Sequence, residues 1–147
     1  MVRLQAEHFQ ARDACLGWQC AKVVTAIEGE APGLTWFATD MEVSGTVSLG
    51  SLMPSGLRSL GRTADFAAYA MQTTQFLKGV LWALPSAVSS LHLRDGASTE
   101  DPAFSEMGNA EWELRLFDTT YIEIYARDCS LLKRIADRFA TGVVAAS

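Results

Sequence analysis

The chain has 147 residues, 49% hydrophobic and 20% charged, a composition typical of one globular domain covering residues 1–147. Its net charge of −5, from 12 basic and 17 acidic residues, argues against nucleic-acid binding, which needs clustered Lys and Arg. No apolar run approaches the roughly 20 residues that cross a bilayer, and residues 1–10 lack the apolar region of a signal peptide. We therefore expect a cytoplasmic protein with no membrane partner.

The first third of the chain combines strand and helix patterns. Apolar residues alternate with polar ones over 2–6, which predicts a short opening strand. Helical spacing predicts a first helix over 13–28. The Trp, Phe and Thr content of 34–43 is typical of a strand, and a turn after it would pair this strand with 46–49 as a hairpin.

The middle of the chain alternates between loop and regular patterns. Residues 50–61 are rich in Gly and Ser, which predicts an exposed connection. Thr63 is a candidate cap for a following helix. A strand is predicted over 75–84, another over 91–93, and a surface loop over 97–110, where the sequence is acidic and aperiodic.

Residues 112–126 carry the most specific pattern, two alternating strands around a turn. A three-residue loop at 118–120 matches like faces, whereas a two-residue loop would set Leu116 opposite Tyr121. The chosen register predicts apolar pairs on one face: Leu116 with Ile122, Leu114 with Ile124, and Trp112 with Ala126. On the other, open face it predicts Phe117 with Tyr121, Arg115 with Glu123, and Glu113 with Tyr125.

A final amphipathic helix follows this hairpin. Asp128 or Ser130 can cap it, Leu131 and Ile135 lie on its apolar stripe, and we expect it to end near Gly142. The apolar face of the hairpin is the nearest partner for that stripe. We therefore predict an α+β fold, a mainly antiparallel β-sheet with helices packed on one face.

Motifs for chemistry are sparse. Cys15, Cys20 and Cys129 lack CxxC spacing, which favours free thiols over disulfides or a zinc site. His8 and His92 lack the spacing of metal ligands, and the sequence has no GxSxG, Walker or GxGxxG motif. We therefore assign no catalytic residue and expect neither a metal ion nor a cofactor.

Carboxylates and aromatic rings are the remaining site candidates. Strict alternation places Trp36, Asp40 and Glu42 on one strand face. The open face of the hairpin supplies a second group, and Trp82 could join either: Glu113, Arg115, Phe117, Tyr121, Glu123 and Tyr125. On a concave surface these residues could hold a cationic or amphipathic small molecule through ring area, cation–π attraction and charge pairing. Taken singly, each is better explained as a solvent-facing strand residue, with Glu123 paired to Arg115.

Four segments carry a resemblance: TWFATDMEVSG at 35–45, GRTADF at 61–66, QFLKGVLWALP at 75–85 and FDTTYIEIYARD at 117–128. In this order they resemble small bacterial proteins of unknown function, several of which travel as mobile integron gene cassettes. The resemblance covers about two-thirds of the chain and rests on hydrophobic strand patterns. It implies no catalytic residue.

Together these observations lead us to expect a non-enzymatic binding protein for a cationic or amphipathic small molecule, acting as a homodimer. The aromatic residues Phe117, Tyr121, Tyr125 and Trp82 could instead anchor the subunit interface. Two other functions stay open. One is an acidic interaction module that neutralises a basic toxin, and the other is a small enzyme with carboxylate and tyrosine acid–base chemistry.

Overall fold

The computed structural model describes residues 1–45, 57–88, 92, 98–99 and 107–142. Within these residues the chain forms six strands, three α-helices and one short 3-10 helix, Ala6–Phe9. The strands are β1 (Val2–Leu4), β2 (Leu34–Ser44), β3 (Arg58–Arg62), β4 (Gln75–Pro85), β5 (Trp112–Phe117) and β6 (Tyr121–Ala126). The helices are α1 (Gly17–Glu30), α2 (Thr63–Gln72) and α3 (Cys129–Arg138).

The strands form one antiparallel sheet in the order β1-β6-β5-β4-β2-β3. All three helices lie on one side, where α2 contacts β2 and β3, α3 contacts β1 and β6, and α1 packs on both other helices. The predicted α+β architecture is therefore confirmed. None of the described helices is long and apolar enough to span a membrane.

The helix-covered side of the sheet, the first face, forms the main hydrophobic core. Its fully buried side chains include Trp36, Phe66, Leu81, Trp112 and Leu114. Burial of a leucine of this kind stabilises the fold by about 1.5–3 kcal/mol. The alternation that predicted an apolar face for 112–126 therefore identifies the central part of the core.

The predicted hairpin is confirmed in every pair, from Phe117 opposite Tyr121 to Trp112 opposite Ala126. The turn contains Thr119 in the left-handed region, with φ of 53°. An earlier loop fixes this turn, because the Ala14 amide donates to the Thr119 carbonyl at 3.1 Å. The hairpin is therefore attached to the segment that leads into α1.

Two helix ends differ from the sequence prediction. The predicted start of the first helix at residue 13 was wrong, because Cys15 has a left-handed φ of 57° and Leu16 bridges to Gln75. The last helix ends earlier than predicted, since Ala140, rather than Gly142, adopts the left-handed conformation, with φ of 52°. In both cases a residue other than Gly takes a conformation that usually favours Gly.

The middle of the chain also differs from the sequence prediction. Residues 58–62 form β3 rather than an exposed connection, and Arg62, not Thr63, is the N-cap of α2. The predicted partner strand at 46–49 lies outside the described residues, as does 91–93 except for the exposed His92. Within the predicted surface loop at 97–110, Thr99, Met107 and Ala110 are buried.

Candidate functional site

Every predicted site residue except Trp36 lies on the side of the sheet opposite the helices, here called the second face. Strand pairing arranges this face in three rows that run across the strands. The first row contains Phe37, Trp82, Glu113 and Tyr125. The second contains Thr39, Val80, Arg115, Glu123 and Arg3. The third contains Glu42, Lys78, Phe117 and Tyr121.

Trp36 belongs to the first face, so the predicted grouping of Trp36 with Asp40 and Glu42 was wrong. Its side chain is fully buried and its Nε1–H donates to Thr63 Oγ1 at 2.8 Å. The β2–β4 register shifts between Thr39 and Glu42, and Asp40 has a left-handed φ of 50°. Such a bulge adds one residue and moves the residues after it to the opposite face.

The centre of the second face is a buried polar cluster formed by Trp82, Glu113 and Arg115. Arg115 Nε donates to Glu113 Oε1 at 2.6 Å, and Trp82 Nε1 donates to Glu113 Oε2 at 2.9 Å. The side chains of Arg115 and Glu113 are only 6% and 2% exposed. Because both charges have lost most of their hydration, the ion pair between them offsets the cost of burying each one.

This centre is not the open surface that the alternation predicted. Met107 and Ala110, which precede β5, form a small hydrophobic cluster with Val80 and Trp82. Alternation correctly separates the two faces of a strand, but it does not report what covers each face. Trp82 is therefore enclosed within its own chain.

Asp40 forms hydrogen bonds both within the sheet and to Thr99, a residue of the predicted surface loop at 97–110. It accepts hydrogen bonds from Lys78 Nζ at 2.8 Å and from the Thr99 amide at 2.9 Å. Burial alone would raise the pKa of Asp40, but these hydrogen bonds outweigh it and the pKa lies below its usual value. The carboxylate thus joins the β2 bulge to β4 and to residue 99.

Along the β1–β6 side of the second face lies a half-open group that we call the edge cluster: Arg3, Phe117, Tyr121, Glu123 and Tyr125. Arg3 Nη2 donates to Glu123 Oε1 at 2.6 Å, and Tyr125 OH donates to Glu123 Oε2 at 2.9 Å. The Arg3 guanidinium carbon lies 4.3 Å from the centre of the Tyr121 ring. Phe117 packs against that ring, with centroids 4.5 Å apart.

The ion pairs of this face differ from the predicted one. Arg115 and Glu123 are opposite each other in the register, as predicted. However, Arg115 bonds Glu113 on its own strand, while Glu123 bonds Arg3 of β1. The predicted Arg115–Glu123 ion pair is therefore wrong, because each carboxylate has a better placed cation.

Sequence reasoning missed two charged residues of these rows, Arg3 and Lys78. The alternation over 2–6 does place Arg3 on the polar side of the opening strand, but it could not identify β6 as that strand's neighbour. Lys78 lies inside the predicted strand over 75–84. Its position opposite Glu42 depends on the bulge in β2, and its position opposite Phe117 depends on the pairing of β4 with β5. Pairing between distant strands was the missing information.

The described residues contain no group of three His, Cys, Asp or Glu side chains placed to hold a metal ion. The three cysteines are free, with Cys15 and Cys20 buried and Cys129 exposed. Burial raises the pKa of Cys15 to about 12.

Comparison of the chain with protein-family models, with curated proteins and with solved structures found no match.

Proposed function

We propose that the protein is a non-enzymatic binding protein that holds a small cationic or amphipathic molecule at the edge cluster. The observation that carries this proposal is the juxtaposition of three partly exposed rings, those of Phe117, Tyr121 and Tyr125, with the carboxylate of Glu123. Aromatic rings supply contact area and attract cations, and a carboxylate between them orients a charged group.

The charge distribution supports a positively charged ligand group. Among the residues of the three rows together with Asp40, four are carboxylates and three are cations. The acidic members are Asp40, Glu42, Glu113 and Glu123, and the basic members are Arg3, Lys78 and Arg115. Glu42 is exposed at the end of the third row, next to Lys78.

The protonation behaviour of this face supports binding rather than acid–base catalysis. Burial and the neighbouring Glu123 raise the pKa of Tyr125, so its hydroxyl stays protonated at neutral pH. The pKa of Asp40 lies below its usual value, so this carboxyl stays ionised. Effective general acids and bases have pKa values near the operating pH. The shifts at Tyr125 and Asp40 both move the pKa further from neutral pH.

A thermal-shift screen against aromatic amines, alkylguanidines and neutral aromatic compounds tests this proposal. A ligand at 100 times its Kd adds about 2.7 kcal/mol of stability, which raises Tm measurably. We expect a hit with wild type and loss of the shift in Tyr121→Ala. Met71→Ala is the control, because Met71 is 62% exposed on α2, on the other side of the sheet.

Molecular mass measured on the same proteins separates binding from self-association. A silent screen, with a mass of two chains for wild type and one for Tyr121→Ala, would overturn the small-molecule proposal. It would assign the edge cluster to a homodimer interface instead. A hit of equal size in wild type and Tyr121→Ala would remove the edge cluster from the site.

A further inference from the structure

We infer that the edge cluster contains a subsite for a guanidinium group, and that the protein's own Arg3 occupies this subsite as an intramolecular competitor of the ligand. The receiving groups are the Tyr121 ring, the Glu123 carboxylate and the Tyr125 hydroxyl. This inference rests on the proposed function, because it names the chemical class of ligand that the same surface would bind.

The receiving groups form a recognition site for a planar cation. Arg3 Nε and Nη2 both approach Glu123 Oε1, at 3.2 Å and 2.6 Å. Its guanidinium carbon lies 4.3 Å from the Tyr121 ring centre, within the range of cation–π attraction. A guanidinium suits this combination because it is planar and donates several hydrogen bonds in one plane.

The site is organised by residues other than Arg3. The Tyr125 hydroxyl donates to Oε2 of Glu123, the oxygen that Arg3 does not use, and this bond fixes the orientation of the carboxylate. The Phe117 ring packs against the Tyr121 ring, at a centroid distance of 4.5 Å. The receiving groups should therefore keep their geometry when the Arg3 side chain leaves.

Arg3 is the exposed member of this arrangement. Its side chain is 45% exposed, whereas the Glu123 side chain is 8% exposed. The main chain around Arg3 is fixed, since Val2 and Leu4 are fully buried on the first face. The Arg3 side chain can thus turn into solvent by rotation alone, leaving the strand in place. A free guanidinium compound would then have access to the same carboxylate and ring.

Two substitutions separate an occupied subsite from an ordinary surface ion pair. Arg3→Ala removes the competitor, and the double variant Arg3→Ala/Glu123→Gln also removes the charge of the receiving carboxylate. The probes are ethylguanidinium chloride and its neutral analogue ethylurea. We expect Arg3→Ala to bind ethylguanidinium at least tenfold more tightly than wild type, with no such gain for ethylurea. The gain should be lost in the double variant.

Amide-resolved NMR titration measures these affinities, and circular dichroism checks that each variant is folded. Binding of ethylguanidinium that is equal in Arg3→Ala and the double variant would overturn the inference. So would the absence of any gain over wild type. If Arg3→Ala does not fold, wild type supplies the test through its Arg3 Nε–H signal. That signal must shift toward a solvent-exposed value with ethylguanidinium and stay unchanged with ethylurea, and no selective shift overturns the inference.

The results of these experiments distinguish failure of the guanidinium subsite from failure of the proposed binding function. A silent screen with wild type, together with a tenfold gain in Arg3→Ala, would leave the subsite standing and show that Arg3 blocks it in the native chain. A screen hit that depends on Tyr121 but does not respond to Arg3→Ala would keep the binding function and reject the guanidinium subsite.

Discussion

The buried pair of Arg115 and Glu113 provides a quantitative test of the structure of the second face. Both side chains are almost completely excluded from water, so removing one partner deprives the other, buried charge of this ion pair. We expect Arg115→Met and Glu113→Gln each to lower the free energy of unfolding by about 3–5 kcal/mol. Gln at position 113 keeps an oxygen that can accept from Trp82 Nε1, which places this variant near the lower end.

Combining the two substitutions sharpens this prediction. The double variant removes both charges of this pair, so it should be more stable than either single variant, and their coupling energy should be large. Arg134→Met is the matched control, because Arg134 is 57% exposed in its 3.3 Å ion pair with Glu30. We expect this control to cost less than about 1 kcal/mol.

Urea denaturation followed by circular dichroism measures all four variants against wild type. With an m-value of about 2 kcal/mol/M, a loss of 3–5 kcal/mol moves the midpoint by about 1.5–2.5 M. If Arg115→Met changed stability no more than Arg134→Met does, the pair would be solvated. The burial of this pair at the centre of the second face would then be wrong.

Three further predictions address the helix contact, the acid limb and the thiols. Gly17→Ala should strongly destabilise the fold, because a Cβ would clash with the backbone oxygen of Thr73. Gly29→Ala, with 3.5 Å to its nearest neighbour, should instead stabilise the fold by about 0.5–1 kcal/mol in urea denaturation. Because the folded pKa of Asp40 is depressed, its stabilising effect is present above the unfolded pKa of about 3.9 and is lost as pH falls through the folded pKa. Denaturation from pH 6 to 2 should therefore show a flatter acid limb for Asp40→Asn, and equal limbs would contradict the assignment. In thiol titration at pH 8, the exposed Cys129 should react rapidly and Cys15 only on unfolding, so fast labelling of both would contradict the burial.

The hairpin over 112–126 could be predicted in full because two constraints agree. Side-chain alternation separates the faces of each strand, and the loop length then fixes which residues are opposite. The first face of this hairpin is also where the apolar stripe of α3 was expected, and α3 contacts β6. Local periodicity therefore determined this part of the fold.

The error at Trp36 arose from a feature that the sequence also contains. Apart from Phe37, apolar residues occupy Leu34, Trp36 and Ala38, and then Met41 and Val43, so these positions change from even to odd numbers near Asp40. A one-residue bulge produces this change, and Asp tolerates the left-handed conformation better than most residues. Strict alternation across Asp40 was the assumption that failed.

The covering of the second face could not be predicted from alternation. Charged residues on a strand face usually indicate solvent, but Glu113 and Arg115 form a buried ion pair beside Trp82, against which Met107 and Ala110 pack. The segment that contains Met107 is aperiodic, so its packing depends on tertiary contacts. The partnership of Arg3 with Glu123 likewise depends on the pairing of the first strand with the sixth, which are far apart in sequence.

The central claim is that the edge cluster binds a small molecule, and an NMR titration tests it most directly. Amide-labelled wild type would be titrated with the compound that gives the largest thermal shift. If the edge cluster binds this compound, the largest saturable changes in amide chemical shift should occur at Arg3, Phe117 and 121–125, with small changes in α1 and α2. Largest shifts on the helical side of the sheet, or none that saturate, would contradict the claim.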